Sequence, residues 1–411
     1  MKVLIVGAGA QGHVITWNLG RCPEVSEIVL GDIDEARARE VADQVGGSKT
    51  KAIALDAGDL EAVKAAAAGA KLVMNATIPQ FNMTILQACL AVGVDYQDMA
   101  TGTLVDKTID EATLMQMELD EQFRQAGLTM LTCTGMDPGV SSTFAGNCYE
   151  DLDVCTDIHI KDYAVLESPV PLQMWSVWTY YTDCATPPLT FQNGAYKREP
   201  PFGLRETFDF PPPFGRGVVV AHDHEELSTL PRFLPVRFGD KGLTDVTFKL
   251  GFDEAALNAD EAFVASGMAG KEPVVVKGVT VRPIDVYCAT LAPNPAPEEM
   301  KRLVENGEIQ DYGVILVDAW GEKDGKPASW SYKVFTPTIQ WITERIPGAT
   351  SVSYGTSTPA AIYAEFLLRD VITQPGCVVP EILDRAVRDA FIKELGARGL
   401  RVTRCFETQI N

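Results

Sequence analysis

The sequence predicts an α/β protein: a doubly wound parallel sheet joined to an α+β domain whose sheet is mostly antiparallel. Three observations predict it. Over the first 130 residues, short apolar runs alternate with stretches of helical periodicity, the pattern of parallel strands linked by crossover helices. The first apolar run, Val3-Leu4-Ile5-Val6, passes at once into Gly7-Ala8-Gly9-Ala10-Gln11-Gly12, a G-x-G-x-x-G that closes a strand and opens a helix. From about Asp157 to Ser331 the chain turns rich in Pro, aromatic residues and strand-like runs.

In chain order, strands are expected near Lys2–Val6, Glu27–Leu30, Ala52–Leu55, Leu72–Asn75, Asp95–Asp98 and Thr129–Thr132. Helices fill the gaps at Gln11–Leu19, Asp34–Val45, Asp59–Ala67, Met83–Val92 and Ile109–Gln125, with apolar residues at three- and four-residue spacing and few β-branched runs. These form a first domain, residues 1–135. The pattern changes after Gly135-Met136-Asp137-Pro138-Gly139, where Pro138 reads as the first residue of a helix capped by Asp137. A second domain, residues 136–352, is expected to bind substrate and to dimerise. Its runs Gly217–Ala221 and Asp245–Leu250 read as strands, its Pro-rich stretches as stiffened loops, and Trp175, Trp178, Tyr180 and Tyr181 as packing on a strand face. Residues 353–411 bring back helical patterns (Pro359–Arg369, Pro380–Leu395) and a last strand, Leu400–Arg404, and are expected to return to the first domain.

In the glycine motif, Gly7 permits a tight turn, Gly9 lets the backbone approach a pyrophosphate, and Gly12 allows close helix–strand packing. The helix end then faces the phosphates. Asp32 ends the next strand, twenty residues after Gly12, where an acid accepts hydrogen bonds from the adenosine ribose. Together these specify a Rossmann-type dinucleotide site. A charged hydrogen bond to a free ribose hydroxyl is worth roughly 1.5–3 kcal/mol, and the same charge repels a 2′-phosphate, so NAD is favoured. NADP stays possible because Arg37, one turn into the next helix, can pair with a phosphate. An FAD enzyme would share the glycines. In a doubly wound sheet the ligand lies beyond the carboxyl ends of the strands. Ala10, Gln11, Ile33, Asn75, Ala76, Thr77 and Pro79 are therefore the further cofactor-contact candidates.

The 411 residues are 46% hydrophobic, enough for an ordinary globular core, and carry a net charge of −21. That charge argues against nucleic acid and anionic membrane surfaces as partners. No apolar run reaches the roughly 20 residues of a membrane span. Nine scattered cysteines without C-x-x-C point to a reducing compartment, hence a cytoplasmic protein. His222-Asp223-His224-Glu225-Glu226 alternates like an exposed strand or its end; without a Cys/His cluster elsewhere, no metal is expected.

Further segments carry a resemblance: Asp32-Ile33-Asp34, Asn75–Pro79 with Asn82-Met83 and Cys89, Gly93–Asp98, Gly135–Gly139, Glu226–Arg232, and Ser353–Ala361. Across nearly its whole length the chain resembles the saccharopine dehydrogenase-like family, which includes saccharopine reductases, lysine 6-dehydrogenases and carboxynorspermidine dehydrogenases. One residue departs: Ser357 stands where similar proteins carry Gly, which would alter the loop if its φ had to be positive. The resemblance implies oxidoreduction at a carbon–nitrogen bond of an amino acid or polyamine derivative through an imine, hydride being exchanged with nicotinamide C4. It also implies a homodimer. Within the family, Asp245–Leu250 and Val274–Val279 are similar to lysine 6-dehydrogenase, whereas Asn82-Met83 and Ser353-Tyr354 are similar to carboxynorspermidine dehydrogenase. A non-catalytic NAD(H) sensor is the reading from another class. Asp98, Asp137 and His222 are the expected proton-handling residues. Asp98 could instead cap the Thr101-Gly102 turn, and Asn82 the following helix. Asn82, Arg205, Arg232 and Thr356 are the expected substrate contacts, the arginines because a carboxylate suits a bidentate guanidinium.

Overall fold

The computed structural model describes residues 1–295 and 297–410. The chain divides into two compact units. The first comprises Met1–Leu104, Glu111–Asn147 and Ser353–Val402, and the second Val105–Asp110, Cys148–Val352 and Thr403–Asn411. The first unit thus reaches past residue 135 into the helix Val140–Asp151.

The first unit is a seven-stranded sheet. Strands β1 (Lys2–Val6), β2 (Glu27–Asp32), β3 (Thr50–Ala54), β4 (Leu72–Asn75), β5 (Asp95–Gln97) and β6 (Thr129–Leu131) lie in the order β6-β5-β4-β1-β2-β3, and Gly376–Val378 adds beyond β6. All six pairings are parallel. Helices α1 (Ala10–Arg21), α2 (Glu35–Val41), α3 (Leu60–Ala67) and α4 (Asn82–Val92) make the crossovers. Asp34 and Asp59 start α2 and α3 by accepting backbone N–H groups two and three residues ahead. One apolar core joins Leu4, Val6, Val73, Ile85, Leu86, Tyr96, Phe123 and Met130. The strand order reverses between β1 and β4, which opens the crevice at the carboxyl ends of those two strands.

Several boundaries differ from the sequence reading. The helix expected over Ile109–Gln125 is two, α5 (Ile109–Met117) and Asp120–Ala126. Pro138 opens no helix: its peptide with Asp137 is cis, Gly139 has φ +138°, and the helix starts at Val140. The helix expected from Pro359 runs from Ser351 to Leu368 with Pro359 inside it, so Ser357 is helical and needs no positive φ. Gly376–Val378 was not anticipated as a strand; three residues are too few for a period-two pattern.

The second unit holds a nine-stranded sheet. Its main path is Glu206–Phe210, Gly215–Ala221, Asp245–Phe252, Val154–Glu167, Gln310–Lys323, Lys326–Phe335 and Arg401–Thr408, with the hairpin Leu189–Gln192/Ala195–Arg198 to one side. The sheet is mixed, because Asp245–Phe252 runs parallel to Val154–Glu167 while the other registered pairs are antiparallel. The last strand of the chain therefore lies on this sheet. Trp178, Tyr180 and Tyr181 sit on a helix, Val177–Ala185, not on a strand face. No described helix is long and apolar enough to cross a membrane.

Candidate active site

Site geometry starts where β1 ends. Gly7 adopts φ +101°, and a Cβ there would meet the Ala76 carbonyl oxygen at 2.8 Å. At Gly12 a Cβ would lie 1.9 Å from the Gly7 oxygen, so α1 can approach the strand only without a side chain. Gly9 is different: no atom lies within 4 Å of its Cβ position. It is the N-cap of α1, no side chain caps that end, and Ala10 is its first helical residue. An open glycine before uncapped N–H groups fits a pyrophosphate, which supplies the acceptors that the helix end lacks. Gln11 is tied to the helix Ser351–Leu368, its Oε1 accepting from Ser357 Oγ at 2.5 Å. Asp32 accepts N–H groups from Ala8 at 2.7 Å and Asp34 at 2.9 Å. Ile33 beside it is 77% exposed.

Beyond β4 a buried polar network organises the catalytic edge. Asn75 accepts from Thr77 N (3.0 Å) and Thr77 Oγ1 (2.6 Å), and donates to Asn82 Oδ1 (2.8 Å) and to the Tyr96 hydroxyl (3.0 Å). Ala76 N donates to Val6 O at 2.8 Å, and Pro79 packs on Gly102. Asn82 is the first residue of α4, not its cap; its amide donates to Ala100 O (3.0 Å) and Gln116 Oε1 (3.2 Å). Gln116 reaches in from α5 and donates to Asp98 (2.5 Å) and Thr132 (2.9 Å).

Asp98 is the hub. It accepts from Tyr96 OH (2.9 Å), Thr132 Oγ1 (2.7 Å), Cys133 N (2.9 Å) and Gln116, and is 1% exposed. Burial pushes its carboxyl up to about 6 against those four donors, and holds the Tyr96 phenol far above its usual value. Asp98 therefore neither caps the Thr101-Gly102 turn nor offers a free oxygen edge to a substrate ammonium. It fixes the hydroxyl and amides that orient Asn75 and Asn82. Asp137, half-buried, lies in the turn after β6, and Thr356 abuts Gly135 of the same turn, where a Cβ on Gly135 would meet Thr356 Cγ2 at 3.0 Å. The first unit thus gathers Gly7–Gly12, Asp32, Ile33 and Asn75–Pro79, with Asn82, Asp98, Asp137 and Thr356, around the carboxyl ends of its strands.

The second unit treats its three candidates differently. His222 ends the strand Gly215–Ala221 but is 8% exposed, and burial depresses its imidazole to about 3. It is not an exposed strand histidine, and its burial disfavours a proton on the ring near neutral pH. Arg205 donates to Asn258 (2.6 Å) and Glu261 (3.3 Å) on an exposed helix, a part-exposed polar cluster. Arg232 lies within the helix Glu225–Phe238, pairs with Asp110 at 2.8 Å, and stacks over Tyr196 at 4.6 Å. Glu225 and Glu226 begin that helix, both buried, and His224 Nδ1 lies 2.5 Å from Glu226.

Tyr96, Gln116 and Thr132 escaped the sequence reading. The signal for Gln116 is slight: with Thr113 it takes inward positions on α5 beside Ile109 and Ala112.

Residues 3–131 match the saccharopine dehydrogenase NADP binding domain, and residues 135–400 the saccharopine dehydrogenase C-terminal domain. The chain belongs to the saccharopine dehydrogenase family. It is 27% identical over 406 residues to the carboxyaminopropylagmatine dehydrogenase of Synechocystis sp., covering 97% of this chain and 96% of that one. To the carboxynorspermidine synthase of Vibrio cholerae it is 25% identical over 429 residues, with the same coverage. Among solved structures, apo saccharopine dehydrogenase from Saccharomyces cerevisiae superposes with TM-score 0.69 at 16% identity, covering 99% of both chains. The homospermidine synthase of Legionella pneumophila with NAD gives 0.70 at 14% identity, covering 99% of this chain and 91% of that one. These two share the fold. The saccharopine dehydrogenase-like protein described here is an oxidoreductase that uses NAD or NADP and acts on carbon–nitrogen groups.

Proposed function

We propose that this family member reduces the imine formed between a carboxylate-bearing amino aldehyde and the primary amine of a diamine or agmatine-like base, giving a carboxyaminopropyl polyamine. The bound dinucleotide supplies the hydride. One observation carries the reading beyond the family: the helix Glu225–Phe238 bears Glu225 and Arg232 seven residues apart, on one face and about 10 Å apart along its axis. Buried acids suit an ammonium and the guanidinium suits a carboxylate, so one element carries receptors for both ends of a zwitterionic substrate. The full-length similarity to the Synechocystis and Vibrio enzymes supports the same substrate class.

Under this reading Arg232 holds the carboxylate. Within the first unit, Asp137 and Thr356 lie at the turn after β6, and Asp98 positions Asn75 and Asn82. Gly7, Gly9, Ala10, Gly12, Ile33, Ala76, Thr77 and Pro79 line the dinucleotide, and Asn75 braces Thr77. The protein is proposed to work in the cytoplasm, in keeping with nine cysteines that form no disulfide. A homodimer is proposed as well: the hairpin Val274–Val281 leaves Val275 71% and Val279 62% exposed, apolar surface that a second copy would cover.

The test mixes the purified protein with NADPH or NADH and a panel of aldehyde–amine pairs, and follows nicotinamide absorbance. Turnover with an amino-acid semialdehyde plus a diamine or agmatine, and none with either alone, is the expected result. Reduction of NAD+ or NADP+ by lysine or saccharopine, with no turnover of the aldehyde–amine pairs, would reassign the substrate, and binding without turnover in either direction would favour the sensor.

A further inference from the structure

One face of the nine-stranded sheet in the second unit carries a basic strip, on the side opposite Phe248, against which His224 stacks. We propose that this strip is a binding site for a phosphate group, inorganic or carried by a small phosphorylated metabolite, seated between the ammonium groups of Lys161 and Lys249. The inference is independent of the substrate and of the helix Glu225–Phe238.

Lys161 lies in the middle of Val154–Glu167, in register with Lys249 on one side and with Leu316 on the other, and Lys333 is in register with Leu316 one strand further. Neighbouring strands lie about 4.8 Å apart, so Lys161 and Lys249 stand side by side. Side chains alternate along the strand: Ile158 and Ile160, both fully buried, take one face, and His159 and Lys161 the other. Thr247, in register with His159, joins that second face. Lys249 has a partner, Glu206 at 2.5 Å. Lys161 is only 4% exposed, yet among the described residues its ammonium forms no hydrogen bond or ion pair, and its Nζ lies 4.6 Å from the centre of the Phe208 ring.

A like charge in register on the next strand is unfavourable, and a buried ammonium without an acceptor is more so. Burial lowers the Lys161 pKa first, Glu206 and Asp318 raise it, and Lys249 lowers it again. The acids of this face leave the gap open: Glu206 is held by Lys249, Asp318 is in register with His159, and Asp157 and Asp245 lie four residues along their strands, about 13 Å away. An oxyanion between the two lysines supplies the missing acceptor and the missing counter-charge together. Lysine binds as a compact point charge, which suits a tetrahedral phosphate. Beside the lysines, burial and then the Lys161 charge lower the His159 pKa, leaving a neutral ring that still donates one N–H. The Thr247 hydroxyl is a further donor, and the part-exposed Trp320, 5.1 Å from the His159 ring, walls that end of the strip.

Calorimetry of the full chain tests this with inorganic phosphate and with ribose 5-phosphate, at constant ionic strength and with NADH saturating so that the glycine loop is occupied. Saturable binding is expected: equal affinities mark the free ion as ligand, and tighter binding of ribose 5-phosphate marks a phosphorylated metabolite. Lys161→Met should weaken binding about ten- to a hundredfold, the range for charge-assisted hydrogen bonds, and leave the affinity for NADH within about twofold. Because methionine removes a buried, unpaired ammonium, that variant should melt no lower than the wild type. Phosphate should raise the melting temperature of the wild type above that in chloride and leave Lys161→Met unmoved. Lys249→Met gives the same comparison should Lys161→Met fold poorly. The proposal is overturned if phosphate acts on the wild type no differently from chloride, or if the lysine variants keep the wild-type affinity.

Discussion

Asp98 and His222 show how burial decides what an ionisable side chain does. Both are nearly inaccessible, yet Asp98 has four donors while the described bonds of His222 include none through its ring. A carboxylate so surrounded is structural: Asp98→Asn replaces an acceptor by an amide facing donors, and should cost about 1–3 kcal/mol. Urea unfolding of the two proteins checks this. The expected signature is lost stability together with weakened nicotinamide-side function, because Gln116 and Tyr96 lose their anchor. Arg232 lies at the other extreme, part-exposed and paired with Asp110. Its value in holding the fold is small, so Arg232→Met should leave stability nearly unchanged. The same change should raise KM for a carboxylate-bearing substrate at least about tenfold, with the dissociation constant for NADPH unmoved. An equal loss of both affinities would remove Arg232 from the substrate site.

At the scale of elements, the β1–α1 turn separates two uses of glycine within one motif. Gly12 is required by packing, since any Cβ there collides with the Gly7 carbonyl. Gly9 faces open space. Gly12→Ala should therefore destabilise the first unit by about 1–3 kcal/mol or more, as overpacked positions do, and be visible as a drop in melting temperature without any ligand. Gly9→Ala should melt like the wild type and yet bind NAD(P)H at least about tenfold more weakly, because the methyl occupies the approach of the pyrophosphate. Calorimetry of both variants with and without nucleotide distinguishes the two. The helix Glu225–Phe238 makes a related point. Two prolines, Pro231 and Pro235, lie inside it, yet the helix continues through them. Packing of Leu227, Leu230 and Leu234 into the core outweighs the local propensity.

Across the whole molecule, buried ionisable groups pull stability in opposite directions with pH. His222 has a folded pKa of about 3, below its unfolded value, so its contribution is present above about pH 6.5 and is lost as pH falls towards 3. Asp98, and Asp311 beneath Ser351, have folded pKa values of about 6, above the unfolded value. Their contributions are present below about pH 4 and are lost as pH rises through 6. His222→Gln should accordingly flatten the loss of stability between pH 6.5 and 4, measured by denaturant unfolding at fixed pH steps. A variant that kept the wild-type slope would show that His222 takes up its proton without unfolding the chain.

The Rossmann half was legible because its information is local. Alternating apolar runs, the glycine spacing, the Asp caps and the acid after β2 are fixed by backbone sterics and hydrogen bonding within a few residues, and they placed Gly7–Gly12, Asp32 and Asn75–Pro79 at one edge. The second unit was legible only in outline. A parallel neighbour within a largely antiparallel sheet, a helix where Trp178 and Tyr181 suggested a strand, and the burial of His222 depend on contacts between residues far apart in sequence. By itself, then, the sequence determined the fold class, the dinucleotide loop and the family. Only the tertiary structure decided that Asp98 is surrounded by four donors, that His222 is buried, that Arg205 bonds to Asn258 and Glu261, and that Arg37 Nε donates to the Ala8 carbonyl. The physical reason is that charge state and availability are set by burial and by partners tens of residues away, which no local pattern records.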